Sequence, residues 1–499
     1  MPAPAYVLGI DISRSGLGLA ILCNDGSVPA HLRRAYGGLP GEPSDPQDWW
    51  RAARTGIKEL LRRASLRPEQ VRAIGITGED ALVAMDRAGK ALCPAVIGAD
   101  ARAESQVDEL IRMVGARNLM NLASGQSSTR AMAVKLLWLQ ANEKRVWHDL
   151  AFALAAKDFL RFRLTETLVT DATDASSTLL FNPRTRAWSK QLLQLTGINA
   201  DWLPPVANGQ ALGGRVKDAA AKEAGLAPGT PVITGAGHSS AIAVAAGVLS
   251  AGSLAIELGG PGAFVLPTEE PLRDPSGRLI TSCHTLANTW TLMADGVASA
   301  GAIDWVLDHL LAGEAAQARR AGRDPMEQLA ELAAEVQPGS DGLMFLPPTG
   351  GGSTLAGLHA RHSRGHVVRA ALEGGALAAK QLLGTLDGLK RRPETVIATG
   401  QGSANHLWCQ ILADVLDTPV SATGGPESAA HGVGILAATA VGMFKTVEDA
   451  CRKLAKPKAT YTPRRAAAEV YAALAPKADR LLSALAGSTT PPPAAAVAP

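Results

Sequence analysis

The sequence predicts an α/β protein built from two related halves, and three observations carry that reading. Short apolar runs alternate with stretches of helical periodicity along most of the chain. An apolar hairpin pattern near the N-terminus recurs about 245 residues further on. Just before the second copy, a strand, a glycine turn and a small-residue helix follow one another within residues 231–245.

The first hairpin is the apolar run 6–12, broken by Ser13-Arg14-Ser15-Gly16 and resumed over 17–22. A helix is expected over 46–65, a strand over 71–77 and helical periodicity over 131–140. Residues 233–240 read Ile-Thr-Gly-Ala-Gly-His-Ser-Ser. There an apolar strand enters the turn of Gly235 and Gly237 and leaves as a helix beginning near Ser239. Such a turn holds His238 at a helix N-terminus, where the backbone suits an anion or an ionising oxygen. The second hairpin has strands at 254–258 and 263–266 around Gly259-Gly260-Pro261-Gly262. Beyond it, Ile303, Val306, Leu307 and Leu310 fall at helical spacing. A strand at 396–399 then feeds Gly400-Gln401-Gly402 and a helix carrying Trp408, Ile411, Leu412, Val415 and Leu416. The expected division is a first domain over 1–248, a second over 249–486, and a disordered Pro/Ala-rich tail over 487–499.

Composition narrows the function classes. With 46% apolar and 19% charged residues over 499 positions, the chain is an ordinary globular one, long enough for two cores. A net charge of +3 from scattered basic residues argues against nucleic acid or an anionic membrane as partner. Five cysteines without paired or metal-like spacing fit reduced thiols. The start Met-Pro-Ala-Pro-Ala-Tyr lacks the basic segment of a signal peptide, and no apolar stretch is of spanning length. A cytoplasmic location is the expectation.

With these elements placed, the chain resembles the FGGY carbohydrate kinase family, and within it the xylulokinase-like branch, over roughly residues 6–485. The resemblance rests on Gly9-Ile10-Asp11, Ala73-Ile74-Gly75-Ile76-Thr77-Gly78, Lys135-Leu136-Leu137-Trp138 and Ala156-Lys157-Asp158-Phe159-Leu160. It continues through Asp171-Ala172-Thr173-Asp174-Ala175-Ser176, Asp304-Trp305, Arg369-Ala370-Ala371-Leu372-Glu373-Gly374, the 408–414 segment and His431-Gly432-Val433-Gly434. It implies two actin-like (ribonuclease-H-like) domains flanking a cleft. A sugar or polyol would sit on the first domain and ATP mostly on the second, with Mg2+ on the phosphates; a homodimer is compatible with it. The implied reaction moves the γ-phosphoryl group to a sugar hydroxyl, chemistry made of positioning, charge stabilisation and a base for the hydroxyl proton.

The same resemblance assigns roles and exposes departures. Asp11 takes the phosphate- and metal-facing position; read without the family, it is an aspartate in a hairpin turn. The first phosphate turn, Gly-Thr in the family, is Ser13-Arg14, with Arg14 either an anion contact or a solvated arginine. The second, Gly-Thr-Ser-Gly, is Gly259-Gly260-Pro261-Gly262, which lacks hydroxyl donors and one N–H. On the sugar side Glu79-Asp80-Ala81-Leu82 stands, one residue shorter, where the family carries Gln-Met-His-Gly, and only Asp100 and Arg102 remain of Trp-Asn-Asp-x-Arg. These acids either line a polyol cleft or are solvated. A cleft loop after Phe345-Leu346-Pro347-Pro348 is about ten residues shorter than in the family. The adenosine-side turn is better kept, as Gly400-Gln401-Gly402-Ser403-Ala404-Asn405. His238 stands where the family carries its aspartate base, either as an imidazole base or as a polar residue without catalytic duty. Three functions stay open on these residues: an impaired sugar or polyol kinase, a non-catalytic pseudokinase that binds sugar or nucleotide, and a nucleotide hydrolase.

Overall fold

Two twisted sheets, each opening with a hairpin, organise the computed structural model, which describes residues 4–14, 16–36, 44–98, 100–260, 262–297, 303, 305–346, 353–425 and 428–487. Ser15, Ala99, Pro261, Asp304, the 347–352 part of the cleft loop and tail residues 488–499 lie outside the described residues.

In the first sheet the strand Tyr6–Ser13 pairs antiparallel with Gly16–Cys23, which pairs with Ala30–Arg34, and parallel with Val71–Gly78; Pro231–Ile233 and Leu212–Arg215 complete it. The second sheet repeats the plan. Ser253–Glu257 pairs antiparallel with Ala263–Thr268 and parallel with Thr395–Thr399, with Val420–Ala422 beyond. In both, the hairpin's first strand lies at the sheet centre, so both of its faces are buried and it reads as a nearly continuous apolar run.

Strand alternation decides what each face meets. Leu8, Ile10 and Ile12 enter a core with the helix Pro46–Arg63. Val7, Gly9 and Asp11 face the other way, toward the helix Ser428–Ala440, which packs on this sheet and on the helix His238–Ala245 although it comes from the C-terminal half. Glycine is what allows that approach. A Cβ on Gly9 would lie 1.8 Å from the Ala430 carbonyl oxygen, and one on Gly432 would lie 1.9 Å from that of Ala241.

One sequence expectation needs correcting. The 303–310 segment contains a π-helical turn over Val306–Leu310, and its wider winding carries Leu310 off the apolar face. Val306 and Leu307 are buried while Leu310 is 45% exposed.

Candidate functional site

The two hairpins align residue by residue: Leu8-Gly9-Ile10-Asp11-Ile12 against Leu254-Ala255-Ile256-Glu257-Leu258. Their parallel neighbours correspond as well, since Asp11 pairs with Thr77 and Glu257 with Thr399. Asp11 and Glu257 are thus matching residues of the two halves. Each shares its strand face with a residue packed toward the helix His238–Ala245: Val7 in the first sheet and Ala255 in the second. Both carboxylates are buried, at 5% and 3% exposure.

His238 opens that helix, with Gly237 as its N-cap, and lies between the two acids. Its Nε2 is 3.1 Å from Glu257 Oε1, a hydrogen bond, and its Nδ1 is 3.5 Å from Asp11 Oδ1, long for a hydrogen bond but within ion-pair reach. Carboxylates only accept, so a proton on each ring nitrogen satisfies both contacts. Burial opposes the charged ring, but Glu257 and then Asp11 outweigh it and hold the imidazole well above its ordinary titration range.

The turn that presents His238 is anchored from below. Gly237 N–H donates to Thr173 Oγ1 at 2.7 Å, and the Thr173 hydroxyl donates to Asp171. Asp171, Asp158 and Asp174 surround Lys157 Nζ at 3.0, 2.6 and 3.2 Å, with all four side chains buried. Arg161 joins the cage through Asp158 and also donates to the Thr234 carbonyl at 2.9 Å. Burial works against the Lys157 charge, yet the three aspartates hold the ammonium above its usual range. Asp174 is pushed up to about 8, chiefly by burial.

In front of His238 lies a polar cavity of about 50 Å³, enough for a few waters, whose lining includes Glu79, Asp80, Arg130, Asp174, His238 and Asp295. Asp295 ends the strand Trp290–Asp295 of the second sheet and accepts from the Ser239 hydroxyl at 3.1 Å. Arg130 Nε reaches Asp80 Oδ2 at 3.4 Å, and Lys135 Nζ donates to the Asp80 carbonyl at 3.3 Å. Desolvation in the cleft raises the carboxyls of Glu79 and Asp295 and lowers Lys135 to about 8.

The remaining sequence-derived positions divide. Glu79 and Asp80 line the cavity; Asp100 and Arg102 do not. Those two pair with each other, Arg102 Nη2 to Asp100 Oδ2 at 2.6 Å, with the guanidinium 4.6 Å above the Trp138 ring. That hydrogen bond keeps Asp100 below its usual range. At the first turn the Ser13 hydroxyl donates to the Gly16 carbonyl at 2.9 Å. The Arg14 N–H donates to Glu79 Oε1 at 3.1 Å, and its guanidinium donates to the Ile97 carbonyl at 2.9 Å. A phosphate seeking that amide therefore meets a carboxylate already on it. At the second turn Gly259 and Gly260 both have positive φ, and a Cβ on Gly260 would lie 2.8 Å from Glu257 Oε1. Gly402 N–H donates to the Leu258 carbonyl at 2.8 Å, locking the turn expected on the adenosine side to this hairpin. Gly400, also at positive φ, donates its N–H to Ser428 Oγ. Asn405 caps the next helix, its side chain accepting from Trp408 N–H at 3.0 Å. Gln401 is exposed and faces the surface groove bordered by Arg33 and Arg34.

Sequence reasoning missed Glu257, Arg130 and Asp295. Matching the two hairpins position by position would have found Glu257 opposite Asp11. Arg130 and Asp295 carry no local signal, because only the tertiary fold brings them to the cavity. The His238 ring stands between Asp11 and Glu257, so a divalent cation bridging these two carboxylates would not fit this arrangement. Among the described residues no group of three or more His, Cys, Asp or Glu side chains is arranged to hold a metal ion. Among them, too, no helix is long and apolar enough to cross a membrane.

Known proteins agree with this architecture. The chain is 27% identical over 483 residues to the xylulose kinase of Escherichia coli (strain K12), spanning 92% of this chain and 96% of that one. It is 27% identical over 489 residues to the autoinducer-2 kinase of the same organism, spanning 93% and 92%. The crystal structure of the xylulose kinase from Rhodospirillum rubrum matches with a TM-score of 0.81 at 29% identity, covering 96% of this chain and 99% of that one. The model of the FGGY carbohydrate kinase N-terminal domain matches residues 6–245 and that of the C-terminal domain residues 255–441. With both domain models in order along two matching sheets, the chain belongs to the FGGY family of carbohydrate kinases, in its xylulokinase-like branch.

Proposed function

We propose that this protein binds a sugar or polyol in the cavity before His238 and transfers phosphate to it from ATP slowly or not at all. One observation carries the reading: both ring nitrogens of His238 are turned to carboxylates, so neither offers a lone pair to an acceptor hydroxyl. Losing a positioned base costs about 10²–10⁴-fold in rate. The Glu79 carboxylate on the Arg14 amide and a second phosphate turn without hydroxyls at Gly259 and Gly260 remove further stabilisation from the phosphates. The cavity keeps what a polyol needs: carboxylates at Glu79, Asp80 and Asp295 to accept from hydroxyls, and Arg130 to donate. Its small volume means the cleft opens to admit a ligand of that size.

Residual transfer, where present, is assigned to Asp295, the carboxylate that faces the cavity beside Ser239 with its proton affinity raised by desolvation in the cleft. The test is a coupled ADP-release assay over ketoses, polyols and inositols, run beside thermal denaturation with the same compounds. The expected result is stabilisation by at least one of them with turnover near background. Asp295→Asn should then weaken that ligand about ten-fold, the value of a hydrogen bond to a charged group, and abolish any residual turnover. Turnover at ordinary kinase rates, about 1–100 s⁻¹, would sink the reading.

A further inference from the structure

We infer that the ring of His238 fills the place of a divalent cation between Asp11 and Glu257, so that this protein takes up a nucleoside diphosphate without magnesium. The inference rests on the family reading for its nucleotide and on the described geometry for its cation. Two carboxylates almost wholly removed from water and converging from matching strands require a positive group near them. In this chain the group is covalent, fixed at the first position of the helix His238–Ala245, with Nε2 hydrogen-bonded to Glu257 and Nδ1 within ion-pair reach of Asp11. An incoming ion would need carboxylate oxygens at about 2.0–2.1 Å, or one water layer further out, in space the ring now occupies. The ring is also anchored from beneath, through Gly237 to Thr173 and the Lys157 cage. The second phosphate turn lies close to Glu257, since a Cβ on Gly260 would stand 2.8 Å from its Oε1. Charge compensation at that turn is therefore built into the protein rather than carried in with the nucleotide.

Calorimetric titration of the full chain with ADP, once with a chelator and once with excess magnesium, tests this. Wild-type affinities should agree within about two-fold, whereas His238→Asn, which vacates the ring's space, should bind ADP about ten-fold more tightly when magnesium is present. A wild-type preference of about ten-fold or more for the magnesium form would overturn the inference. Should ADP bind under neither condition, the nucleotide part of the family reading fails, and crystals soaked in manganese decide the cation part separately. Wild-type crystals are expected to show no anomalous scattering between Asp11 and Glu257, and His238→Asn crystals a peak there. A peak in the wild type contradicts the inference whatever the variant does.

Discussion

Replacing His238 with leucine is expected to destabilise the protein by about 3–5 kcal/mol, the usual consequence of removing one member of a buried ion pair. The substitution leaves Asp11 and Glu257 facing an apolar side chain at 5% and 3% exposure, with His238 itself only 11% exposed in the wild type. The pH dependence fixes the cause. A histidine whose folded-state pKa lies above its unfolded value near 6.5 contributes its full stability below that value, and the contribution disappears as pH rises through the folded pKa. The difference in urea midpoint between wild type and His238→Leu should thus be greatest at mildly acidic pH and shrink at alkaline pH. A difference that stays constant across the range would show that packing, not charge, holds the ring.

Lys157→Met should have a comparable or larger effect, again about 3–5 kcal/mol or more, because it strands Asp158, Asp171 and Asp174 together without their cation. Arg161 remains, but it touches only Asp158 of the three. Adding Asp171→Asn to Lys157→Met should recover part of the loss by removing one of the stranded charges. Urea unfolding of the single and double variants measures this, and equal stabilities would contradict a charge-based account. Because Asp171 holds Thr173, and Thr173 holds the Gly237 amide, the lysine variant should also loosen the turn that presents His238. Hydrogen exchange at Gly237 reports that loosening directly.

Much of the fold was legible because its signals are short-range. The hairpins, the elbow at 231–240 and the strand feeding Gly400 each fall within fewer than about twenty residues of sequence, where apolar runs and glycine turns mark elements unambiguously. The 306–310 segment was misread because a π-turn changes the period on which the reading depends. The site was legible only on one side. Asp11 and His238 stand out by position, yet their meaning depends on Glu257, which belongs to the other half of the molecule. Asp100 and Arg102 have the composition of sugar ligands, but two residues apart on a short helical turn they satisfy each other first. Asn405 likewise serves its own helix as a cap. Charged groups near one another in sequence tend to find local partners, and the cavity is lined largely by those that do not.

On the proposed reading, His238, Glu257 and Asp295 belong to a site reorganised around different charges rather than one merely emptied of them. A buried carboxylate is costly to keep uncompensated, and here His238 compensates Glu257 while Asp295 faces the cavity. The claim that His238 is a held cation rather than a base is tested most directly by nitrogen NMR of protein labelled in its histidines, with His238→Gln assigning the resonance. Both ring nitrogens of His238 are predicted to carry protons at neutral pH and to keep them well above pH 6.5. A singly protonated ring that titrates near 6.5 like a solvated histidine would contradict the account.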